Sequence, residues 1–334
     1  MKNCIPRMVA LIFALLPIGV AAEPITLKLS FFSSDRHATY LSAVKPFVDA
    51  INNESGGLLK INIYFSGKLG SDLAQQPQLV RQGAADIAFI VPGYSPQSFP
   101  DTAVLELPGL FRDAREASLV YTRLVARHAL ADYGDFFVIG AFGTQLETIH
   151  GRKHLASIAD LAGQKIRVNN QSAADALAQL GAVPKLLPLN EVSNAMSAGT
   201  IDAAAVQSAQ LFDSGIARLT THHYLLGIGA APLALVMNRK VFDALPERAK
   251  ELIQRRSGEW AALRYSEVSA ALSGQVVKQL EADPRRTVTT PTAADLAAAR
   301  RVFDAVTDQW AAASPRHRQL LDLVDAELAR IRSR

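Results

Sequence analysis

The sequence predicts an α/β protein built as two lobes. Three observations carry that expectation. Strand and helix patterns alternate through the first hundred residues and again from about residue 157, as in a mostly parallel sheet covered by helices. Val80–Ala88 (VRQGAADIA) is echoed by Met196–Ala204 (MSAGTIDAA). In each, a helix ends at glycine, aspartate follows three residues later, and an apolar strand begins. Finally, 334 residues exceed one ordinary core.

Residues 1–22 stand apart. Lys2 and Arg7 give a basic start, Val9–Val20 is apolar, and Val20-Ala21-Ala22 offers small residues before a cut at Glu23. This is the layout of a secretory signal peptide. The apolar stretch is shorter than the roughly 20 residues that a membrane anchor needs. Removing Lys2 and Arg7 from 35 basic residues leaves 33 against 31 acidic, a mature net charge of +2. Cys4, the only cysteine, would leave with the leader. A mature chain without cysteine has neither disulfide nor thiol chemistry, which suits a bacterial periplasm better than a small disulfide-stapled scaffold. At 49% hydrophobic and 20% charged residues, the composition is that of a folded soluble protein. No basic run is interleaved with aromatics, so no nucleic-acid partner is expected.

Ile25–Phe31 reads as a strand leading into the loop Phe32–His37. A helix follows, with Leu41, Val44, Val48 and Ile51 on one face and Gly56-Gly57 as its stop. Leu59, Ile61, Ile63 and Phe65 alternate as a strand, and a short helix runs up to Gly83. Asp86–Val91 is a buried strand. After an irregular stretch to Pro108, a helix is expected at Ala114–Ala131 and a strand at Phe136–Phe142. Gly143–Glu147 is placed as the first crossing to the second lobe.

There, Ser157 with Asp160 and Ser172 with Asp175 suggest two capping boxes. Between them lies Lys165–Val168, a strand in which Arg167 stands among residues that should be buried. Pro184–Leu187 and Ile201–Val206 are further strands, and Asn190–Ala198 is a helix. Leu233–Asn238 is a strand able to return to the first lobe. Pro246 then opens a helical pattern to about Leu280, about 50 Å if unbroken, long enough to run across both lobes. Thr287–Thr290 is a strand, and Ala294–Ala312 and Arg316–Arg332 are closing helices. The expected allotment is 23–144 with about 233–272 in the first lobe, and 145–232 with about 273–334 in the second.

Few residues point to catalysis. Gly227-Ile-Gly229-Ala-Ala-Pro232 imitates part of a dinucleotide fingerprint, but proline closes it and a strand follows. His150 and His154 are separated by Gly151 in a loop, while His222 and His223 point to opposite sides of a strand. No metal or other cofactor is expected. Arg167 is different, because arginine is rarely buried without a partner. Either a protein carboxylate or a captured carboxylate would serve. His37 could meet a ligand or cap the helix after it. Glu147 and Glu191 lack a sequence-local partner for acid–base work.

Phe31–His37, GKLG at 67–70, VRQGAADIAF at 80–89, LPGLF at 107–111, DLAGQKIRV at 160–168, LGAVP at 180–184, LNEVSNAMSAGTIDA at 189–203 and VFDALPE at 241–247 together resemble the periplasmic solute-binding subunit of a TRAP transporter, of the DctP type. The resemblance implies a two-lobed periplasmic-binding-protein fold with hinge strands and a long helix spanning both lobes. It implies capture of a small organic acid, delivered to TRAP permease membrane subunits that an ion gradient drives. It also gives Arg167 the role of carboxylate anchor, for which a planar guanidinium fork is suited. Glu147 falls near the place of a second arginine in sialic-acid-type members, Val206 and Gln207 near that of an asparagine, and Phe32 near that of another. A sialic acid is therefore not expected. Glu147 could accept from a ligand hydroxyl or amine. Phe32 and Tyr94 could face a ring or belong to the core. Arg167, Glu147, Gln207, Val206, Phe32, His37 and Tyr94 are the candidate binding wall of a monomer. A receptor for a sensor kinase and an exported α/β enzyme are the alternative readings.

Overall fold

The computed structural model describes residues 23–333. The expected signal peptide at 1–22 lies outside the described residues. In chain order the elements are β1 (Ile25–Ser30), α1 (Lys45–Glu54), β2 (Leu59–Tyr64), α2 (Gln76–Arg81), β3 (Ile87–Ile90), α3 (Ala114–Ala126), β4 (Phe136–Gly143), β5 (Thr148–Gly151), β6 (Lys165–Val168), α4 (Gln171–Gln179), β7 (Val183–Leu186), α5 (Val192–Ser197), β8 (Ala203–Val206), β9 (His222–Tyr224), β10 (Pro232–Asn238), α6 (Arg239–Ala244), α7 (Glu247–Arg255), α8 (Glu259–Ala282), β11 (Thr287–Thr289), α9 (Ala293–Ala312) and α10 (Pro315–Arg332).

One sheet has the order β2-β1-β3-β10-β4 and the other β11-β9-β5-β8-β6-β7. Each is the centre of a lobe. Apolar clusters lie on both faces of each sheet, so β3 and β8 are buried at every position rather than alternating. The sheets are more mixed than the strand–helix alternation implied. β1 is parallel to β2 and β3, but β10 is antiparallel to β3 and β4. The reason is connectivity. β4 leaves the first lobe and β10 re-enters it from the same side, so the two must run in opposite directions.

Thr144–Glu147 lies beside residues 228–231. Thr144 N–H donates to Ala231 O (3.0 Å), Glu147 N–H to Gly229 O (2.9 Å) and Ile228 N–H to Glu147 O (3.0 Å). The β4–β10 ladder thus continues into the second sheet as a hinge ribbon. This explains the glycines of the imitation fingerprint. A Cβ on Gly227 would lie 2.7 Å from Leu146 Cδ1, so glycine lets the two hinge segments approach.

The third connection is helical. α8 buries Ala261 and Tyr265 in the first lobe and Leu280 in the second. It is shorter than the sequence pattern indicated, because the chain breaks at Gly258, whose φ is +62°. Gly258 N–H donates to Ile139 O (2.9 Å), turning the chain between α7 and α8. The 24 residues of α8 therefore span about 36 Å. The C-terminus also differs from expectation. α9 buries Ala299 and Phe303 in the second lobe, but α10 buries Leu320, Leu321, Val324 and Leu328 against the first. Arg332 of α10 pairs with Glu116 of α3 at 2.8 Å. An amphipathic stripe specifies a buried face without specifying which lobe buries it.

Candidate functional site

β6 sits between β7 and β8 and carries Arg167, 2% exposed. Its strand position is set by Asp202, whose carboxylate accepts from Lys165 N–H at 3.0 Å. The Asp202 carboxyl is held below the usual range by backbone and lysine hydrogen bonds that outweigh its partial burial. Arg167 Nε donates to Leu187 O (2.8 Å) and Nη1 to Ala205 O (3.0 Å). These carbonyls fix the guanidinium plane. Three of its five N–H groups, on Nη1 and Nη2, are left for other partners, with the Tyr94 hydroxyl 3.5 Å from Nη2. No carboxylate among the described residues lies within ion-pair distance of Arg167.

Arg167 opens onto a narrow cavity between the lobes, of about 40 Å³. Phe32, Phe89, Val91, Leu73, Leu189 and Leu233 supply apolar wall. Phe32 stacks on Phe31 with centroids 4.9 Å apart and lies 6.0 Å from Phe89. Tyr94, Glu147, Asn169, Gln207 and Gln210 add polar groups. A wider cleft of about 850 Å³ continues outward and shares Leu73, Tyr94 and Asn169. Tyr94 belongs to the first lobe, yet its hydroxyl also accepts from Leu189 N–H of the second at 3.1 Å. Across the opposite rim, Asp213 accepts from Ala38 N–H at 2.8 Å. The lobes are therefore hydrogen-bonded to each other on both sides of the cavity.

Glu147 ends the hinge and is 7% exposed. Asn169 Nδ2 donates to its Oε1 at 3.0 Å. Burial pushes its carboxyl up to about 7, with the Arg167 charge pulling the other way. Glu106, partly buried nearby, is pushed up to about 8 by desolvation and then by the Glu147 charge. The cavity thus holds one guanidinium and, beside it, a carboxyl that loses its proton only near neutrality.

Five of the seven candidate residues meet in this cavity: Arg167, Glu147, Gln207, Phe32 and Tyr94. Val206 does not. It is 1% exposed and packs with Val192, Met196 and Leu211 behind the sheet, because strand neighbours point to opposite faces. His37 also lies off the cavity lining. Its Nδ1 accepts from Thr39 N–H (3.2 Å) and its ring packs on Phe31 and Phe32, so its side chain is taken up by a cap on the turn leading to α1. Asn169 was missed, although it lies two residues beyond Arg167 and so on the same side. Glu106, Phe89 and Val91 were legible only as core or loop. Asn170, rather than Ser172, caps α4 by accepting from Ala173 N–H at 2.8 Å.

The histidines form a separate pair. His150 Nδ1 lies 2.9 Å from His223 Nδ1, inside the second lobe. Burial holds both below the usual histidine range, at about 3 and about 4. No group of three His, Cys, Asp or Glu among the described residues is arranged to hold a metal ion.

A family model described as bacterial extracellular solute-binding protein, family 7, DctP, matches residues 30–313. The chain belongs to the DctP family. It is a TRAP-type solute receptor, and the proteins like it bind small acids rather than catalyse reactions. Among curated relatives, the 2,3-diketo-L-gulonate-binding periplasmic protein YiaO of Escherichia coli is 28% identical over 238 residues, covering 68% of this chain and 70% of that one. A TRAP solute-binding protein of Rhodoferax ferrireducens, solved with copurified benzoate, superposes with a TM-score of 0.86 at 26% identity, covering 92% of this chain and 98% of that one. A marine metagenome TRAP protein specific for aromatic acid ligands, solved with metahydroxyphenylacetate, gives a TM-score of 0.86 at 25% identity and covers 92% and 99% of the two chains. DctP-family receptors are periplasmic and work with membrane permease subunits.

Proposed function

We propose that this DctP-family receptor captures a small aromatic monocarboxylate between its lobes. The observation that carries the reading is Arg167. It is buried, held flat by two backbone carbonyls, and faces the cavity with no carboxylate among the described residues within ion-pair distance. Charged hydrogen bonds contribute roughly 1.5–3 kcal/mol each. A dicarboxylate would require a second cation, and among the described residues Arg167 is the only Lys or Arg lining the inner cavity. Here Phe32, Phe89, Val91 and Leu233 make flat apolar wall suited to a ring, and two solved relatives of similar fold hold aromatic acids.

Glu147 and Gln207 face the same ligand, and Tyr94 closes over it from the first lobe. The protein is exported through a cleaved leader ending at Ala22, acts as a monomer and binds without turnover. The first lobe is taken as 23–144, about 233–272 and α10, and the second as the remainder. The loaded, closed form is the one offered to the permease, since a ligand shifts a two-state equilibrium only through differential affinity.

A thermal-shift screen tests the ligand class. Benzoate, phenylacetate and their hydroxylated derivatives should raise the melting temperature, because ligand binding to the native state adds RT ln(1 + [L]/Kd). Stabilisation by uronates or C4-dicarboxylates alone would overturn the aromatic reading.

A further inference from the structure

We propose that Glu147 is a specificity-determining residue whose carboxylate accepts a hydrogen bond from a hydroxyl on the ligand, so that the protein selects hydroxylated aromatic acids over their unsubstituted parents. This rests on the aromatic-acid reading and adds to it the substituent that the site reads.

Glu147 cannot move far to find another partner. Its backbone is held in the hinge at both N–H and C=O, by Gly229 O and Ile228 N–H. Its side chain is 7% exposed and lines the same cavity as Arg167. Asn169 donates to Oε1. Among the described residues no hydrogen bond reaches Oε2, and no cation comes within ion-pair distance of either oxygen. Oε2 also retains some accessible surface, since it is absent from the fully enclosed, unpaired atoms of the chain. An ionised carboxylate is an acceptor only, with room for about four hydrogen bonds. One is filled. A buried acceptor left unpaired costs free energy, and a donor on the ligand would remove that cost.

The placement selects among donors. Arg167 and Asn169 lie two residues apart at the end of β6, on one side of the chain, and Asn169 tethers Glu147. The acceptor therefore lies beside the carboxylate anchor, where the ligand carrying the carboxylate must also lie. A neutral hydroxyl suits this position because it leaves the anchored carboxylate's charge to Arg167. A ligand without a donor leaves Glu147 either ionised and unpaired or protonated. A site built around a hydroxyl rejects the analogue lacking it for that reason.

Isothermal titration of the mature chain tests this with benzoate, its three hydroxybenzoate isomers, phenylacetate and mandelate. At least one hydroxy acid should bind roughly 10- to 100-fold tighter than its parent, the range a charged hydrogen bond gives. Glu147→Leu should collapse that ratio. Glu147→Gln, which keeps an acceptor oxygen, should restore part of it, a graded response that a merely structural role would not produce. Circular dichroism on both variants establishes that they fold. Parent acids binding as tightly as every hydroxy acid would overturn the proposal, as would a ratio unchanged in Glu147→Leu. If aromatic acids bind without such preference, only this inference fails. If none binds and uronates or dicarboxylates do, the aromatic reading fails first.

Discussion

The two lobes repeat one construction and differ in the residue that it carries at one strand position, Ser30 in the first and Arg167 in the second. In the first lobe, Gly83 at φ +75° ends α2, and the carboxylate of Asp86 accepts from Lys28 N–H at 2.7 Å, fixing β3 beside β1. In the second, Gly199 at φ +72° ends α5, and Asp202 accepts from Lys165 N–H at 3.0 Å, fixing β8 beside β6. The registers match: Ser30 pairs with Ala88 where Arg167 pairs with Ala204. Lys28-Leu29-Ser30 and Lys165-Ile166-Arg167 are therefore equivalent strands. Ser30 is wholly buried and bonds Gln76 at 2.8 Å. Arg167 reaches the cavity. The same frame thus makes an inert strand end in one lobe and a cationic anchor in the other. The first lobe instead contributes the ring-lined wall through Phe32 and Phe89. The comparison teaches that the frame positions the residue and the residue chooses the chemistry.

The largest expected effect is at the point of difference. Arg167→Lys should weaken capture of the acid at least 100-fold by calorimetry, because lysine cannot form the fork or hold both carbonyls. Affinity within threefold of the parent protein would break the assignment of the anchor to the second lobe.

The next effect concerns the hinge between the lobes. The Glu147 carboxyl is raised from 4.5 to about 7 by burial. Between those values the folded chain holds a proton that the unfolded chain has lost, so stability falls as pH rises through this window and then levels off. The fall amounts to about 3 kcal/mol at most. Chemical denaturation of ligand-free protein from pH 4.5 to 8 should show Glu147→Gln gaining on the parent across that window. Parallel profiles would mean that the Glu147 carboxyl is not desolvated.

A smaller effect sharpens the parallel itself. Asp86→Asn and Asp202→Asn should each cost about 1–2 kcal/mol of stability, since each turns a charged acceptor to backbone N–H into a neutral one. Only Asp202→Asn should also weaken ligand binding, because only its strand carries the anchor. Equal losses of affinity would argue that both lobes position the ligand alike. The smallest effect is at the helix joining them. Gly258→Ala meets no neighbouring atom within 4 Å, so backbone strain alone, at φ +62° and ψ −129°, should lower stability by at least about 1 kcal/mol. A neutral result in thermal melts would mean that the break before α8 relaxes freely.

Much of this was readable from residues in order. The glycine–aspartate echo marked real structural equivalents because both parts act locally, glycine through its backbone freedom and aspartate through the adjacent strand. The DLAGQKIRV stretch marked Arg167, whose buried charge opens onto the cavity. The sequence also placed the crossing at Gly143–Glu147.

It did not determine which distant side chains share the cavity. Val206 and Gln207 are neighbours in sequence, but the pleat sends one into the core and the other to the cavity. His37 proved to be a cap because only packing decides between a loop's ligand and its own backbone. α10 joined the first lobe because an apolar face accepts any complementary surface, and the choice followed from Leu321, Val324 and the Arg332–Glu116 pair meeting α3. Glu106 and Glu147, 41 residues apart in numbering, acquire their raised carboxyls only when the hinge brings both out of water. Local propensities and fixed backbone geometry are written residue by residue. Desolvation and long-range pairing arise only when segments distant in sequence pack together.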